Sequence, residues 1–276
     1  MIKILINDKS SDNSWARIKA RASINEKIIG VNLRKNFGQD NAIMAGLSIA
    51  KGDYIVIMDD DLQHSPLDIE KLYKCCKDKA DVCYLYYDYK KQKLWKNIGS
   101  WFNGKISQIL IKKPKKIYLS PFKIMTKDLA IEICKYLGPY PYIDGLIFSR
   151  TDKIKQIQGE HSERYRGKGN YGFKKSLKVF SNHSTGYSVL PLRIATFGGI
   201  SISIISLLLA IYYIIEHYFL LDTHVEGWTT LVVLQLFLSG VILVSLGIVG
   251  EYLGRAYLFL NQKPQYAIEK VYKKNV

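Results

Sequence analysis

The chain has 276 residues, 48% hydrophobic and 23% charged, which is enough apolar material for a packed core and excludes global disorder. Its 40 Lys and Arg against 24 Asp and Glu leave a formal charge of +16, a balance that suits nucleic acid, an anionic membrane or phosphate-bearing substrates. The sequence carries no zinc finger, RNP signature or basic zipper, so the reading is no nucleic acid, and a membrane protein with a basic cytoplasmic face fits best.

Taken in order, Ile2 to Ile6 reads as a strand ending in Asn7-Asp8, not as a signal peptide. Asp12-Asn13-Ser14 supplies a cap for a helix through Ala20. Ile28 to Asn32 predicts a second strand, and Gln39 to Ala50 a helix with apolar Ile43, Ala45, Leu47 and Ile49. Tyr54 to Met58 is a continuous apolar run, which predicts a strand buried on both faces. Pro66 to Lys77 predicts a helix with Ile69, Leu72 and Tyr73 on one face. This βαβαβ rhythm argues for an α/β domain with a largely parallel sheet. Ligands of such sheets sit at the carboxyl ends of strands, where Asp8 and Asp59-Asp60-Asp61 both fall. Cys75, Cys76, Cys83 and Cys134 form no CxxC pair and have no His cluster beside them, so reduced thiols are expected rather than a zinc site or a disulfide.

Two uncharged apolar stretches follow, residues 194–215 and 231–249. Each approaches the roughly 20 residues a helix needs to cross about 30 Å of hydrocarbon, and neither shows the polar stripe of a soluble helix. The loop between them, 216–230, holds Glu216, Asp222 and Glu226 but no Lys or Arg, while Arg193, Arg255 and Lys263 lie on the outer flanks. The positive-inside rule then puts both chain ends in the cytoplasm, with Tyr212, Tyr213, Tyr218, Phe219 and Trp228 as an outer aromatic belt. The expected organisation is a catalytic domain over 1–160, a basic juxtamembrane segment over 161–193, the two spans with their external loop, and a cytoplasmic tail over 250–276.

The sharpest local signal is Asp59-Asp60-Asp61-Leu62-Gln63-His64-Ser65-Pro66 directly after an apolar strand. Carboxylates packed this closely repel one another and call for a neutralising partner. Oxygen ligands of this kind suit Mg²⁺ or Mn²⁺ with substrate phosphates completing the shell; a solvated turn capping the next helix is the alternative. The run resembles the Asp-X-Asp, Leu-Gln-X-X-Pro pattern of family 2 glycosyltransferases, through Asp59, Asp61, Leu62, Gln63 and Pro66. Other matches come in order: Asn7-Asp8-Lys9-Ser10-Ser11-Asp12 with the nucleoside turn, Arg34 to Gln39 with an Arg-Asn-Phe-Gly helix start, and Arg164 to Tyr171 with an Arg-X-X-Gly-X-Ser-X-Tyr segment. Pro191-Leu192-Arg193 and Gly250 to Arg255, which flank the apolar spans, complete the set. The branch most resembled includes dolichol-phosphate mannose synthases and undecaprenyl-phosphate glucosyltransferases.

The resemblance implies a GT-A fold, a Rossmann-like mixed sheet followed by two transmembrane helices, in an inner-membrane enzyme. It implies transfer of a sugar from a nucleotide-sugar, UDP-glucose first, to polyprenyl phosphate by single displacement with inversion. Asp59 and Asp61 would hold the metal on the donor pyrophosphate, Asp8 would contact the uracil or ribose, and Gln63 would line the donor site. Arg164, Arg166 and Lys168 would meet acceptor or leaving phosphates, an assignment that Arg, Lys and glycine amides suit physically; a lipid-headgroup patch is the other reading of this segment. Asp144, in Tyr140-Pro141-Tyr142-Ile143-Asp144-Gly145, is a candidate for orienting the sugar or acceptor, or a loop Asp making an Asx-turn. Related enzymes imply a homo-oligomer through the membrane region.

Three departures from the family pattern stand out. The chain opens at what resembles the second strand, without the central first strand, from which the expectation is that Met1 is a misassigned start or marks a disrupted gene. Lys9 replaces the usual Gly of the nucleoside turn, a strained choice where φ is positive. Lys123, after Phe122, stands where Arg is usual and keeps the charge without the bidentate fork, weakening a phosphate contact. The competing readings are an inactive membrane protein that binds lipid or a partner, and a processive transferase, for which the Gln-X-X-Arg-Trp motif is missing from the sequence.

Overall fold

A computed structural model describes residues 1–60, 64–86, 114, 117–159, 190–219, 227–261 and 263–274. The chain divides into two units, one of Met1–Ser176 with Leu258–Val276, the other of Leu177–Tyr257.

The first unit is α/β. Strand β1 (Lys3–Asn7), helix α1 (Ser14–Ile24), β2 (Ile28–Leu33), α2 (Gln39–Ile49), β3 (Tyr54–Ile57) and α3 (Asp68–Lys77) follow the predicted order to within a few residues. Then come β4 (Val82–Tyr86), β5 (Lys123–Thr126), α4 (Lys127–Cys134), α5 (Ile143–Arg150) and β6 (Ile154–Gln158). After the apolar helices, β7 (Ile268–Tyr272) returns to this unit.

The strands form two sheets, ordered β1-β2-β7 and β3-β5-β4-β6. The pairs β1·β2 and β4·β6 are parallel, whereas β2·β7, β3·β5 and β4·β5 are antiparallel. The mixed sheet is therefore the correct reading, and the largely parallel one drawn from the βαβαβ rhythm is not. That rhythm covers only the first three strands, and the antiparallel β5 and β7 arrive later in the chain. β1 closes one sheet and β3 the other, and among the described residues no strand joins them. As a terminal strand, β3 is half-buried along its length rather than buried on both faces.

Each sheet carries its own core. Val31, Leu33 and Ala45 are buried between β2 and α2, with Ile4, Ile6, Phe37 and Ile49 packed around them. Leu72, Cys76, Cys83, Leu85, Phe122 and Ile124 fill the space between α3 and the second sheet; each such large side chain contributes about 1.5–3 kcal/mol by leaving water. His64 packs its ring against Phe122, with 5.0 Å between centroids, so it serves this core. The packing of α3 on β4 brings Cys75 and Cys83 to a Cα separation of 6.4 Å, and the pair is joined as a disulfide. The expectation of four reduced thiols fails for this pair, because contact across α3 and β4 leaves no spacing signature; Cys76 and Cys134 are free.

The second unit contains α6 (Leu190–Phe219) and most of α7 (Trp228–Leu260), of 30 and 33 residues. Both are long and apolar enough to cross a membrane, and their apolar windows, Leu192–Leu209 and Phe237–Leu260, bury no residue. A soluble core helix of this composition would bury its apolar surface; these present Ile204, Leu207, Leu208, Leu243, Val244 and Leu246 outward.

Candidate active site

The site is built around the start of α2. Gly38 is the N-cap residue and has φ 93°, ψ 161°, a region essentially restricted to glycine. Its conformation exposes two successive amides, Phe37 N and Gly38 N, which donate to Asp8 Oδ1 and Oδ2 at 2.7 and 2.8 Å. Asn36 Nδ2 adds a bond to the Asp8 carbonyl at 3.0 Å. Asp8, at the carboxyl end of β1, thus fastens β1 to α2, and its charge faces a helix N-terminus, which favours an anion.

The next residue reaches the acidic run. Gln39 Nε2 donates to Asp59 Oδ1 at 2.9 Å, tying α2 to the segment that leaves β3. Asp40 follows, half-buried, and accepts a hydrogen bond from the Ile143 backbone N–H at the start of α5. Burial and then the nearby Asp144 carboxylate push the Asp40 carboxyl up to about 6, against the opposing effects of that N–H and of Lys123.

Asp144 sits in the first turn of α5. Its Oδ1 accepts from Tyr84 Oη at 2.9 Å and is ion-paired with Lys123 Nζ. Lys123 is only 4% exposed, and its Nζ lies 4.9 Å from the centre of the Tyr84 ring, so the ammonium is held by a carboxylate and a ring face together. In the sheet, Lys123 pairs with both Ile57 and Tyr84, which places it one strand from the chain that runs on to Asp59. Burial, followed by Asp144, raises the Tyr84 phenol well above its ordinary range, and burial does the same to Tyr142. Tyr84 therefore stays protonated and gives its hydroxyl hydrogen to Asp144.

Of the predicted site residues, Asp8, Asp59, Lys123 and Asp144 are thus described, and residues 37–40 with the neighbouring Ile143 link them. Asp61, Gln63, Arg164, Arg166 and Lys168 lie outside the described residues. Lys123, read from sequence as a phosphate contact, has its charge committed to Asp144, a partner 21 residues away that spacing could not reveal. Gln39 was read only as part of a helix start, and Asp40 was not singled out at all; an acid just inside a helix beside a glycine cap was the available signal. Lys9 does have a positive φ, 53°, so the strain that its replacement of a glycine carries under that condition is present. Among the described residues no group of three or more His, Cys, Asp or Glu gathers as a metal site. Asp59 contributes one hard carboxylate donor of the kind Mg²⁺ and Mn²⁺ take, which fits such an ion as far as the described residues go.

Residues 3–134 match glycosyl transferase family 2. Over 274 residues the chain is 30% identical to a protein of Bacillus subtilis, the uncharacterized glycosyltransferase YkcC, covering 98% of this chain and 83% of that one. The chain belongs to glycosyl transferase family 2. It is also 28% identical to the undecaprenyl-phosphate 4-deoxy-4-formamido-L-arabinose transferase of Aeromonas hydrophila, over 97% of this chain and 83% of that protein. A further 28% identity, over 99% and 88%, links it to the SfII prophage-derived bactoprenol glucosyl transferase of Shigella flexneri. As a family 2 member it is a glycosyltransferase with the expected GT-A-like mixed α/β domain, and the Aeromonas and Shigella relatives lie in the polyprenyl-phosphate branch that its motifs resemble.

Proposed function

We propose that this glycosyltransferase moves a sugar from a nucleotide-sugar to undecaprenyl phosphate at the cytoplasmic face of the cell's inner membrane, with UDP-glucose as the first donor to test. The observation that carries the reading is the start of α2, which ties together Asp8 at the end of β1, Asp59 after β3 and, through Asp40, the buried Lys123–Asp144 pair. The acceptor in the name of the Aeromonas relative and the glucosyl group in that of the Shigella relative support acceptor and sugar respectively. The two apolar helices, with Arg193, Arg255 and Lys263 on their outer flanks, support the membrane placement.

In this reading an oxygen of the lipid phosphate, already anionic at neutral pH, attacks the anomeric carbon. The bond from that carbon to the donor phosphate oxygen breaks, with inversion, and the nucleoside diphosphate leaves. Asp59 and Asp61 would hold Mg²⁺ or Mn²⁺, which when bound supplies positive charge to the donor diphosphate. Asp8 keeps the nucleoside turn against α2, and Gln63 lines the donor site. Arg164, Arg166 and Lys168 receive acceptor or leaving phosphates through charge-assisted hydrogen bonds. Lys123 and Tyr84 fix Asp144 by one oxygen, Oδ1, so that Oδ2 orients a sugar hydroxyl or the acceptor.

Membranes carrying the full chain, incubated with radiolabelled nucleotide-sugars and undecaprenyl phosphate, test this directly. Label from one nucleotide-sugar is expected in the lipid fraction, lost in Asp61→Ala with membrane insertion intact. Lipid free of label with every donor, or wild-type transfer by Asp61→Ala, refutes the reading.

A further inference from the structure

The segment that resembles the nucleoside turn, Asn7 to Ser10, is closed by a ring of polar contacts that ends on the far side of the apolar helices in the sequence. Ser10 N donates to Asn7 Oδ1 at 3.3 Å, and Asn7 Nδ2 to Asn32 Oδ1 at 2.7 Å. Asn32 Nδ2 then donates to Glu269 Oε2 at 2.7 Å, and the same oxygen takes Lys9 Nζ at 3.0 Å. Both asparagines are about 95% buried, so their amides need these partners.

Glu269 holds a special place in β7. The pairing of β2 with β7 runs Leu33 to Ile268 and then Asn32 to Lys270, with a register shift between them, so Glu269 is the extra residue of a bulge. Bulges re-aim a side chain that regular pleating would send elsewhere. Lys9 has φ 53°, a left-handed conformation in which a lysine needs an outside hold and a glycine needs none.

We propose that Glu269 is a positioning residue for the donor: the bulge in β7 aims it at Lys9 and Asn32, and it holds the Asn7–Ser10 turn in the shape that receives the nucleoside diphosphate. The proposal rests on the donor-site reading of that turn. It adds that the strand following the second apolar helix is part of the donor site, and that Lys9 and Glu269 together replace what a glycine would do alone.

The test uses the full chain in detergent, with hydrogen exchange of residues 8–11 and binding of Mn²⁺–UDP as readouts beside the transfer assay. Glu269→Ala should speed exchange across the turn about ten-fold and weaken UDP binding, or raise the donor KM, about five-fold, with kcat within about two-fold; this is the scale of one lost charge-assisted hydrogen bond. Glu269→Gln, which keeps an acceptor for Asn32 but no charge for Lys9, should fall between. Adding Lys9→Gly to Glu269→Ala should move exchange and binding back toward wild type, a rescue that a general loosening of β7 would not show. Unchanged exchange in Glu269→Ala overturns the proposal, as does failure of Lys9→Gly to restore either readout. If no nucleotide-sugar supports transfer, the donor-site reading fails separately, while exchange in the three variants still decides whether Glu269 positions the turn.

Discussion

Among the described residues, Asp40 is the carboxyl whose proton the fold shifts upward into a measurable window, and Asp40→Asn isolates it. Lifting that carboxyl from 3.8 to about 6 corresponds to about 3 kcal/mol, at roughly 1.4 kcal/mol per pH unit. The folded state binds this proton more tightly than the unfolded chain does. Stability from this group is therefore highest below pH 4, falls as pH rises from about 4 to about 6, and carries the full cost above 6. Asparagine keeps an oxygen for the Ile143 N–H and removes the charge that burial and Asp144 oppose. The variant should match wild type near pH 4 and gain up to about 3 kcal/mol at pH 7, a rise in Tm of about 6–12 °C for a unit of this size. Thermal unfolding of the detergent-solubilised chain at half-unit pH steps measures it. A Tm difference that is absent, or the same at pH 4 and pH 7, would refute the buried-carboxyl argument.

Lys123→Met should cost about 3 kcal/mol, because it leaves the half-buried Asp144 near Asp40 without its buried cation; adding Asp144→Asn should recover much of that loss in urea unfolding. Gly38→Ala places a side chain at φ 93° and should cost about 1–3 kcal/mol. Since Phe37 N and Gly38 N hold Asp8, it should also raise the donor KM in a transfer assay more than it lowers kcat.

The early part of the fold was legible because its elements are short and locally encoded. The apolar run of β2, the stripe of α3 and the turn residues between them point to one structure each, and boundaries moved by only a few residues. The strand pairing was not legible. β7 is a short strand arriving after two long apolar helices, and nothing in Ile268 to Tyr272 names β2 as its partner. Part of the candidate site was readable from motifs, since Asp8 and Asp59 stand just past strand ends. Another part depends on contacts that close only when α2, β4, β5 and α5 meet: Lys123 with Asp144 across 21 residues, and Tyr84 with Asp144 across 60. Lys9 lies between these cases. The glycine it replaces raised the question of a positive φ, but the residue that pairs with it, Glu269, is 260 positions away.

Four carboxylates converge on the elements around the start of α2, and each is offset differently. Asp8 is met by two backbone amides at a helix N-terminus, and Asp144 by Lys123 and the Tyr84 hydroxyl. Asp59 has a neutral amide from Gln39 among its partners. Asp40 has the Ile143 N–H and the nearby Lys123 set against burial and Asp144, so it keeps its proton up to about pH 6 and carries an opposed charge above that. A chain shaped for stability alone would gain from asparagine at this position, so the acid is a local cost of the kind that functional sites carry. Among the described residues, Lys123 is the one buried lysine beside these four carboxylates. The charge opposed at Asp40 is the part of this arrangement that titrates, and the pH dependence of Asp40→Asn measures how large it is.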